Sequence, residues 1–178
     1  DISSGKDANR TVVTFAGEPG DVTEAAFRGI EKAAKIIDMT IHKGRHPRFG
    51  ATDVCPLIPL ADTGMQETAI LARELGRRVG EDLGIPVYCY EYAAFIEERQ
   101  NLANCRAGEY EGLKNKIGSD RWHPDFGPSR WSRSVARTGA VAVGARNFLV
   151  AYNVNLDTSS DTIAKSIAGD IRESGRIM

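Results

Sequence analysis

Two of the three histidines in the chain lie four residues apart, in the stretch HKGRHPRFGATDVCPLIPL at residues 42–60. On a helix this spacing would place His42 and His46 on one face, where they could bind a metal ion. Gly44 lies between them and Pro47 follows, and a residue before proline is restricted to extended backbone. The segment also lacks the acidic residue that a metalloprotease carries between its histidines. These features disfavour a metal site, so a metal-dependent hydrolase is the weaker alternative.

His46 is better placed to act as a general base. Extended backbone at the mouth of a strand can aim an imidazole into a cleft, within reach of the proton to be moved. The neighbouring cations Lys43, Arg45 and Arg48 disfavour the imidazolium, which keeps the ring neutral and able to accept a proton. A partly exposed histidine in a turn would have the same sequence, so the residues alone leave both interpretations open.

A second group of interest is the stretch DRWHPDFGPSRWSRSVARTG at residues 120–139. It shows no hydrophobic periodicity and is predicted to be a long loop. Its arginine and aromatic side chains are Arg121, Arg130, Arg133 and Arg137, with Trp122, Phe126 and Trp131. Guanidinium groups bind carboxylates and aromatic faces stack on planar rings. The composition suits a ligand with a flat heterocycle and a carboxylate tail, and a solvated surface loop is the alternative.

The chain carries none of the common cofactor signatures, whether a GxGxxG turn, a GxxxxGK[ST] loop or a GxSxG elbow. Lys plus Arg number 23 and Asp plus Glu number 24, so no excess of charge points to nucleic acid or a membrane surface. The isolated cysteines Cys55, Cys89 and Cys105 argue against a disulfide framework and suit a reducing compartment. We therefore expect a cytoplasmic protein without nucleic-acid or membrane partners.

Interleaved strands and helices are predicted to position these residues. Apolar side chains that recur at spacings of three and four predict helices at residues 21–37, 65–83 and 160–173, with short helices within 104–116. Strands are predicted at residues 11–16, 53–60, 86–90, 140–143 and 147–156. Pro56 and Pro59 each remove a backbone donor, so the second of these strands should be an edge strand or an irregular one. The order predicts an α+β sandwich, with a mixed β-sheet and helices packed on one face.

The same stretches resemble one known family. HKGRHPRFGATDVCPLIPL is similar to the HxGxHPRxGAxDVxPFIP signature of the glutamate formiminotransferases, including the N-terminal part of the bifunctional formiminotransferase-cyclodeaminases. Five further segments resemble that family in the same order: IDMT at residues 37–40, PVYCYEYAA at 86–94, RAGEYEGL at 106–113, PDFGP at 124–128 and GARNFLVAYNVNLDT at 144–158. The resemblance covers nearly the whole chain.

The resemblance implies a fold and an activity. Enzymes of the family form a folate-binding cleft from two α/β subdomains. They move a formimino group between N-formimino-L-glutamate and N5 of tetrahydrofolate in histidine degradation. Tetrahydrofolate is then a co-substrate, carried as its 5-formimidoyl form, and no metal is expected. The full-length protein is expected to be a homodimer or a higher oligomer.

The resemblance also implies site residues. The family's catalytic histidine is the one in HPR, which is His46 in this chain. Arg48 is a second candidate catalytic residue that could orient a substrate carboxylate or His46 itself. The family's folate-contacting loop follows the FGP motif and corresponds to Gly127, Pro128, Ser129, Arg130, Trp131, Arg133, Arg137, Thr138 and Gly139. The arginine-rich stretch therefore coincides with the implied folate loop.

The resemblance implies that residues 1–178 are the N-terminal subdomain of this fold, without its first strand and helix and without the second subdomain. We therefore expect the chain to supply one wall of the cleft and to be inactive alone. Two other functions stay open. A glutamate formyltransferase would use the same base and cleft, and a non-catalytic folate-binding or assembly module would bind folate without turnover.

Overall fold

The computed structural model describes residues 1–149 and 156–171, which fall in two compact units, Asp1–Asn147 and Phe148–Met178. A short 3₁₀ turn, Glu97–Arg99, belongs to the first unit. The other elements of that unit are, in chain order, β1 Ile2–Gly5, β2 Arg10–Val13, α1 Pro19–Ile36, β3 Val54–Leu57, α2 Met65–Leu83, β4 Val87–Glu91, α3 Leu102–Arg106, α4 Glu109–Lys116, α5 Arg133–Thr138 and β5 Val141–Ala145.

The centre of the first unit is a parallel sheet of three strands in the order β3-β5-β4. In the register of β5, Ala142 lies opposite Val54 of β3 and Tyr88 of β4. The strands are short runs of mostly apolar residues, which is typical of parallel strands covered on both faces. The loops that lead into the strands of this buried sheet carry the site described below.

The long helices α1 and α2 cover one face of the sheet. Leu75 and Val79 of α2 are buried against Val143 of β5, together with Phe27 and Ile30 of α1. Their spacing of three and four residues places these side chains on one stripe of each helix. Burial of such stripes against the sheet provides most of the hydrophobic stabilisation of this layer.

The short helices cover the opposite face. Tyr88 and Tyr90 of β4 point into a second buried cluster with Cys105 of α3, Leu113 of α4 and Val135 of α5. The α+β class is confirmed, with parallel and antiparallel strand pairs in one chain. The two long helices share one face, but α3, α4 and α5 cover the other, so the expectation of helices on one face alone is wrong.

Two element predictions follow from backbone chemistry and are confirmed. Helix α2 spans Met65–Leu83, and Gly84 ends it with a φ of 64°, in the left-handed region that favours glycine. Strand β3 pairs with β5 alone among the described strands, so it forms an edge of the sheet. Pro56 lies within β3 and has no backbone N–H to donate, which suits this edge position.

The prediction that residues 120–139 are loop throughout is wrong at their end, where α5 forms. Ser132 caps this helix, because its Oγ accepts a hydrogen bond from the N–H of Val135 at 3.2 Å. Gly139 follows the helix with a φ of 66°. Six residues are less than two turns, so the hydrophobic periodicity on which the prediction relied could not develop.

Strands β1 and β2 form an antiparallel hairpin in which Ile2 lies opposite Val13. The strand predicted at residues 11–16 corresponds to β2, which begins one residue earlier. Both strands are exposed along their whole length. Residues 6–9 make the turn, and Asn9 adopts a positive φ of 48°. Asparagine is one of the few non-glycine residues that tolerates this conformation.

The second unit contains helix α6, Asp161–Ile171, within the helix predicted at residues 160–173. The isoleucines that predicted it, Ile163, Ile167 and Ile171, are all exposed. Residues 150–155 of the predicted strand at 147–156 lie outside the described residues. Among the described helices of both units, none combines the length and the apolar character that a membrane crossing requires.

Candidate active site

His46 lies in the long loop between α1 and β3, on the wall of a cavity of about 310 Å³. The cavity is lined by Lys43, Gly44, Arg45, His46, Pro47, Arg48, Glu109 and Glu111. The first six residues belong to one continuous segment, and the two glutamates come from the start of α4. The cavity therefore combines one imidazole with cations and carboxylates, a mixture suited to polar substrates that carry charge.

Both ring nitrogens of His46 have hydrogen-bond partners. Nδ1 lies 2.5 Å from the backbone oxygen of Pro47. Nε2 lies 2.6 Å from Nη1 of Arg10, which is the first residue of β2. The imidazole is half-buried. These contacts hold the ring in one orientation beside the cavity.

The Pro47 oxygen connects His46 to an ion pair. Nη2 of Arg106 donates to this oxygen at 2.8 Å and to Oδ2 of Asp53 at 2.6 Å. Asp53 also accepts the N–H of Phe49 at 3.0 Å. Burial raises the pKa of the Asp53 carboxyl, and the guanidinium of Arg106 acts in the opposite direction. The loop of His46 is thus fastened on the C-terminal side of the histidine.

Arg48 is buried behind the cavity and does not hydrogen-bond to His46 among the described contacts. Its Nη2 donates to Oε1 of Glu111, and its guanidinium carbon lies 4.8 Å from the centre of the Tyr110 ring. The Arg48 oxygen accepts the N–H of Tyr110 at 2.8 Å. Nη1 of Arg48 is buried without a partner within the described residues. Arg48 is one of the residues that line the cavity, and one of its guanidinium donors is left without a described acceptor.

The predicted folate loop separates into two places. Gly127 and Pro128 lie at the amino end of β4, where Phe126 accepts the N–H of Val87 at 3.0 Å. An added Cβ at Gly80 of α2 would meet the nitrogen of Gly127 at 2.6 Å, so the two glycines pack closely. Ser129 and Arg130 follow and are exposed. These four residues are not brought to the cavity of His46 by any described contact.

The later part of the loop is brought to the side of Arg48. The centres of the Trp131 and Tyr110 rings lie 6.1 Å apart. The Tyr110 hydroxyl donates to the backbone oxygen of Ala136 at 2.6 Å. The backbone oxygen of Thr138 accepts the N–H of Ala51 at 2.7 Å. Arg133 begins α5 and is exposed. The structure therefore places Tyr110 between Arg48 and the aromatic part of the loop.

The last residues of the loop also reach the segment that precedes His42. Arg137 accepts the N–H of Met39 at 2.9 Å through its backbone oxygen, and its Nη2 donates to the oxygen of Lys35 at 3.1 Å. Gly139 forms a bridge with Gly50, where its positive φ and the close backbone leave no room for a side chain. Arg137, Thr138 and Gly139 thus contact residues on either side of the segment that carries His46 and Arg48, and Trp131 lies beside Tyr110.

Several residues of this site were not identified from the sequence. Arg106, Tyr110 and Glu111 belong to the RAGEYEGL segment, whose resemblance to the family was the available signal. Asp53 lies in the same stretch as His46. Arg10 carried no signal, because its contact with His46 arises only when the hairpin folds onto the loop.

The alternative of a metal site finds no support in the geometry. Nε2 of His42 lies 3.0 Å from the backbone oxygen of Asn9, so this nitrogen carries a proton that it donates. Nε2 of His46 is occupied by Arg10. Within residues 1–149 and 156–171, no three His, Cys, Asp or Glu side chains converge as metal ligands would.

Comparison with known proteins gives consistent matches. The family model described as "Formiminotransferase domain, N-terminal subdomain" matches residues 1–146. A glutamate formimidoyltransferase of Thermoplasma acidophilum is 51% identical over 174 residues, which are 97% of this chain and 56% of that protein. A formimidoyltransferase-cyclodeaminase of Gallus gallus is 47% identical over 176 residues, covering 99% of this chain and 32% of that protein. The chain thus spans between about a third and just over half of the length of these relatives.

Proposed function

Because the chain belongs to the formiminotransferase domain family, as its N-terminal subdomain, we propose that it serves a glutamate formimidoyltransferase. The reaction moves a formimino group between N-formimino-L-glutamate and N5 of tetrahydrofolate. The relatives that carry the name of this activity are similar over almost the whole of this chain. Histidine degradation in the cytoplasm, by a homodimer or a higher oligomer, is the setting that the family resemblance implies.

The observation that carries the proposal is the state of the His46 ring. A backbone oxygen can only accept, so the contact between Nδ1 and the Pro47 oxygen requires a proton on Nδ1. In a neutral ring Nε2 then carries the lone pair. A histidine held in this form is ready to accept a proton, which is the requirement for a general base.

We assign the proton transfers to Nε2 of His46. The amine of glutamate attacks the amidine carbon and forms a new C–N bond. The bond from that carbon to N5 of tetrahydrofolate breaks. Nε2 takes the proton from the attacking nitrogen and returns one to the nitrogen that leaves. The reverse reaction uses the same two transfers. Such a base contributes about 10²–10⁴-fold in rate.

Arg48 is proposed to bind a substrate carboxylate rather than to contact His46. Its Nη1 is the buried donor without a described partner, and guanidinium groups bind carboxylates through charge-assisted hydrogen bonds. Glu111 and Tyr110 hold the rest of the guanidinium in place. A fixed carboxylate would set the position of the amine that His46 deprotonates.

The residues near the cavity fit a folate. Tyr110 and Trp131 offer aromatic faces to a flat ring, and the exposed Arg133 and Arg137 can bind carboxylates of its tail. The proposed folate residues remain those of the loop, from Gly127 to Gly139, with the later part adjacent to Arg48. When bound, the folate supplies the nitrogen that carries the formimino group.

An assay with two donors tests the proposal against its rivals. The full-length gene product is given glutamate with 5-formimidoyl- or 5-formyltetrahydrofolate, and formation of N-substituted glutamate is measured beside folate affinity. We expect turnover with the formimidoyl donor. Faster turnover with the formyl donor would favour the formyltransferase. Folate binding with turnover of neither donor would favour the non-catalytic module.

A further inference from the structure

The β1–β2 hairpin folds onto the loop that carries His46. The backbone oxygen of Asp7 accepts the N–H of Arg45 at 3.0 Å, and Nδ2 of Asn9 donates to the backbone oxygen of Lys43 at 2.6 Å. Gly44 lies against the backbone of Ala8 so closely that a Cβ at this position would collide with it. The hairpin turn is therefore docked on the loop through backbone groups and one amide side chain, independently of Arg10.

The contact of Arg10 with His46 has only one possible polarity. A guanidinium has five N–H donors and no acceptor, so Nη1 must donate to Nε2. Nε2 therefore carries the lone pair and Nδ1 carries the proton of the neutral ring. The Pro47 oxygen requires the same tautomer from the other side of the ring. Two independent contacts thus agree, and one of them comes from a residue 36 positions away.

We propose that Arg10 is a positioning residue that selects the Nδ1-protonated tautomer of His46 and keeps Nε2 free of a proton in the ligand-free protein. The identification of a tautomer stands on the two hydrogen bonds. Its importance for the reaction rests on the proposed role of His46 as the base. The tautomer of a histidine is set by the hydrogen bonds of its ring nitrogens. In this site the partner of Nε2 is Arg10, whose guanidinium is always charged.

The geometry also requires Arg10 to leave during the reaction. Nε2 has one lone pair, which cannot accept from the guanidinium and from a substrate amine together. Arg10 is exposed, as are both strands of the hairpin, so its side chain can turn away without breaking a buried cluster.

The experiment reads the tautomer directly. The chain is labelled with ¹⁵N-histidine, and correlations between ring nitrogens and carbon-bound protons distinguish Nδ1–H from Nε2–H in the neutral ring. His46→Asn identifies the signals of His46. We expect the wild type to show the Nδ1–H pattern alone. In Arg10→Met only the Pro47 oxygen still favours that tautomer, so a measurable Nε2–H fraction should appear beside it. Arg10→Lys, which keeps a cationic donor, should restore most of the wild-type pattern.

Arg45→Met is the matched control, because it removes the same charge from the residue next to His46 and leaves both ring contacts. It should keep the Nδ1–H pattern. An Nε2–H pattern in the wild type, no change in Arg10→Met, or an equal change in Arg45→Met would overturn the proposal. In the full-length gene product, Arg10→Met should lower kcat by a larger factor than it lowers folate affinity. If His46→Asn were fully active, the proposed function would fail while the tautomer result could still stand.

Discussion

At the scale of single residues, the site is a histidine fixed from several directions. Pro47 and Arg10 hold the two nitrogens of the ring, and Arg106 with Asp53 holds the Pro47 oxygen. Preorganised groups need little rearrangement during the reaction, which is why such supporting contacts contribute to catalysis. The rate should therefore depend on residues that never contact the substrate.

Arg106 provides a prediction at this scale. A lysine cannot span both Asp53 oxygens and the Pro47 oxygen, because its ammonium lacks the planar fork of a guanidinium. We expect Arg106→Lys to lower the free energy of unfolding by about 1.5–3 kcal/mol and to lower kcat. Urea unfolding measures the first effect, and steady-state kinetics of the full-length gene product measure the second.

The control is Arg121→Lys, at an exposed arginine that pairs with Glu98 at 3.3 Å. Exposed ion pairs contribute little, so its unfolding should change by less than about 0.5 kcal/mol. If both variants unfolded alike, the fastening of the His46 loop by Arg106 would be refuted.

The sequence directed attention to His46 and its neighbours in the chain, but not to their distant partners. His46 and Arg48 were identified by the local pattern and the family resemblance. Arg10 and Arg106 were not, because hydrogen bonds between residues far apart in sequence depend on tertiary packing. Trp131 and Tyr110 show the same division, since the first was proposed from its loop and the second only by its contact with Arg48.

At the scale of elements, periodicity predicted what repeats over several turns. Helix α2 was predicted with its observed ends, since its apolar stripe continues for 19 residues and Gly84 ends it. Helix α5 was missed because six residues give no period. The docking of the hairpin on the loop of His46 was also not predicted. It depends mainly on backbone hydrogen bonds, which the pattern of side chains in a sequence does not reveal.

The contact between α2 and the PDFGP segment predicts a difference between two glycines. An alanine at Gly80 would place its Cβ 2.6 Å from the Gly127 nitrogen and 2.7 Å from Cβ of Phe126. We expect Gly80→Ala to destabilise the fold, since overpacking costs about 1–3 kcal/mol and exceeds the gain in helix propensity of about 1 kcal/mol.

Gly29 of α1 is the matched control, with nothing within 4 Å of an added Cβ. Gly29→Ala should stabilise the fold by about 0.5–1 kcal/mol. Urea unfolding of both variants gives the comparison. A stabilised Gly80→Ala would contradict the close packing of α2 on this segment.

Lys116 at the end of α4 predicts a pH dependence of stability. Its Nζ donates to the oxygen of Cys105 at 2.5 Å and lies 4.5 Å from the centre of the Trp122 ring. Burial lowers the pKa of Lys116 to about 8. The folded chain then releases this proton at a lower pH than the unfolded chain, whose lysines titrate near about 10.4. Through this group, the free energy of unfolding rises with pH between these two values.

Lys116→Met should remove this contribution, which is at most about 1.4 kcal/mol per pH unit. Urea unfolding at several pH values between about 7 and about 10 measures the slope. Lys114→Met, at an exposed lysine of the same helix, should keep the wild-type slope. Equal slopes in the two variants would mean that Lys116 titrates alike in the folded and unfolded chains.

At the scale of the whole molecule, the site lies at an unusual end of the sheet. The segment of His46 leads into the amino end of β3, and residues 137–139 lead into the amino end of β5. Ligands of open parallel sheets commonly bind at the carboxyl ends of the strands instead. General topology directs attention to the carboxyl ends of the strands, whereas the histidine motif directs it to the cavity near their amino ends.

The central claim is that Nε2 of His46 is the base of formimino transfer, and one variant tests it most directly. Asparagine at position 46 can still donate to the Pro47 oxygen but has no group in the place of Nε2. In the full-length gene product, with His42→Gln as the control, transfer and tetrahydrofolate affinity are measured together. We predict that His46→Asn lowers kcat by about 10²–10⁴-fold with folate affinity nearly unchanged, while His42→Gln stays within a few-fold of the wild type. Full activity of His46→Asn would contradict the account.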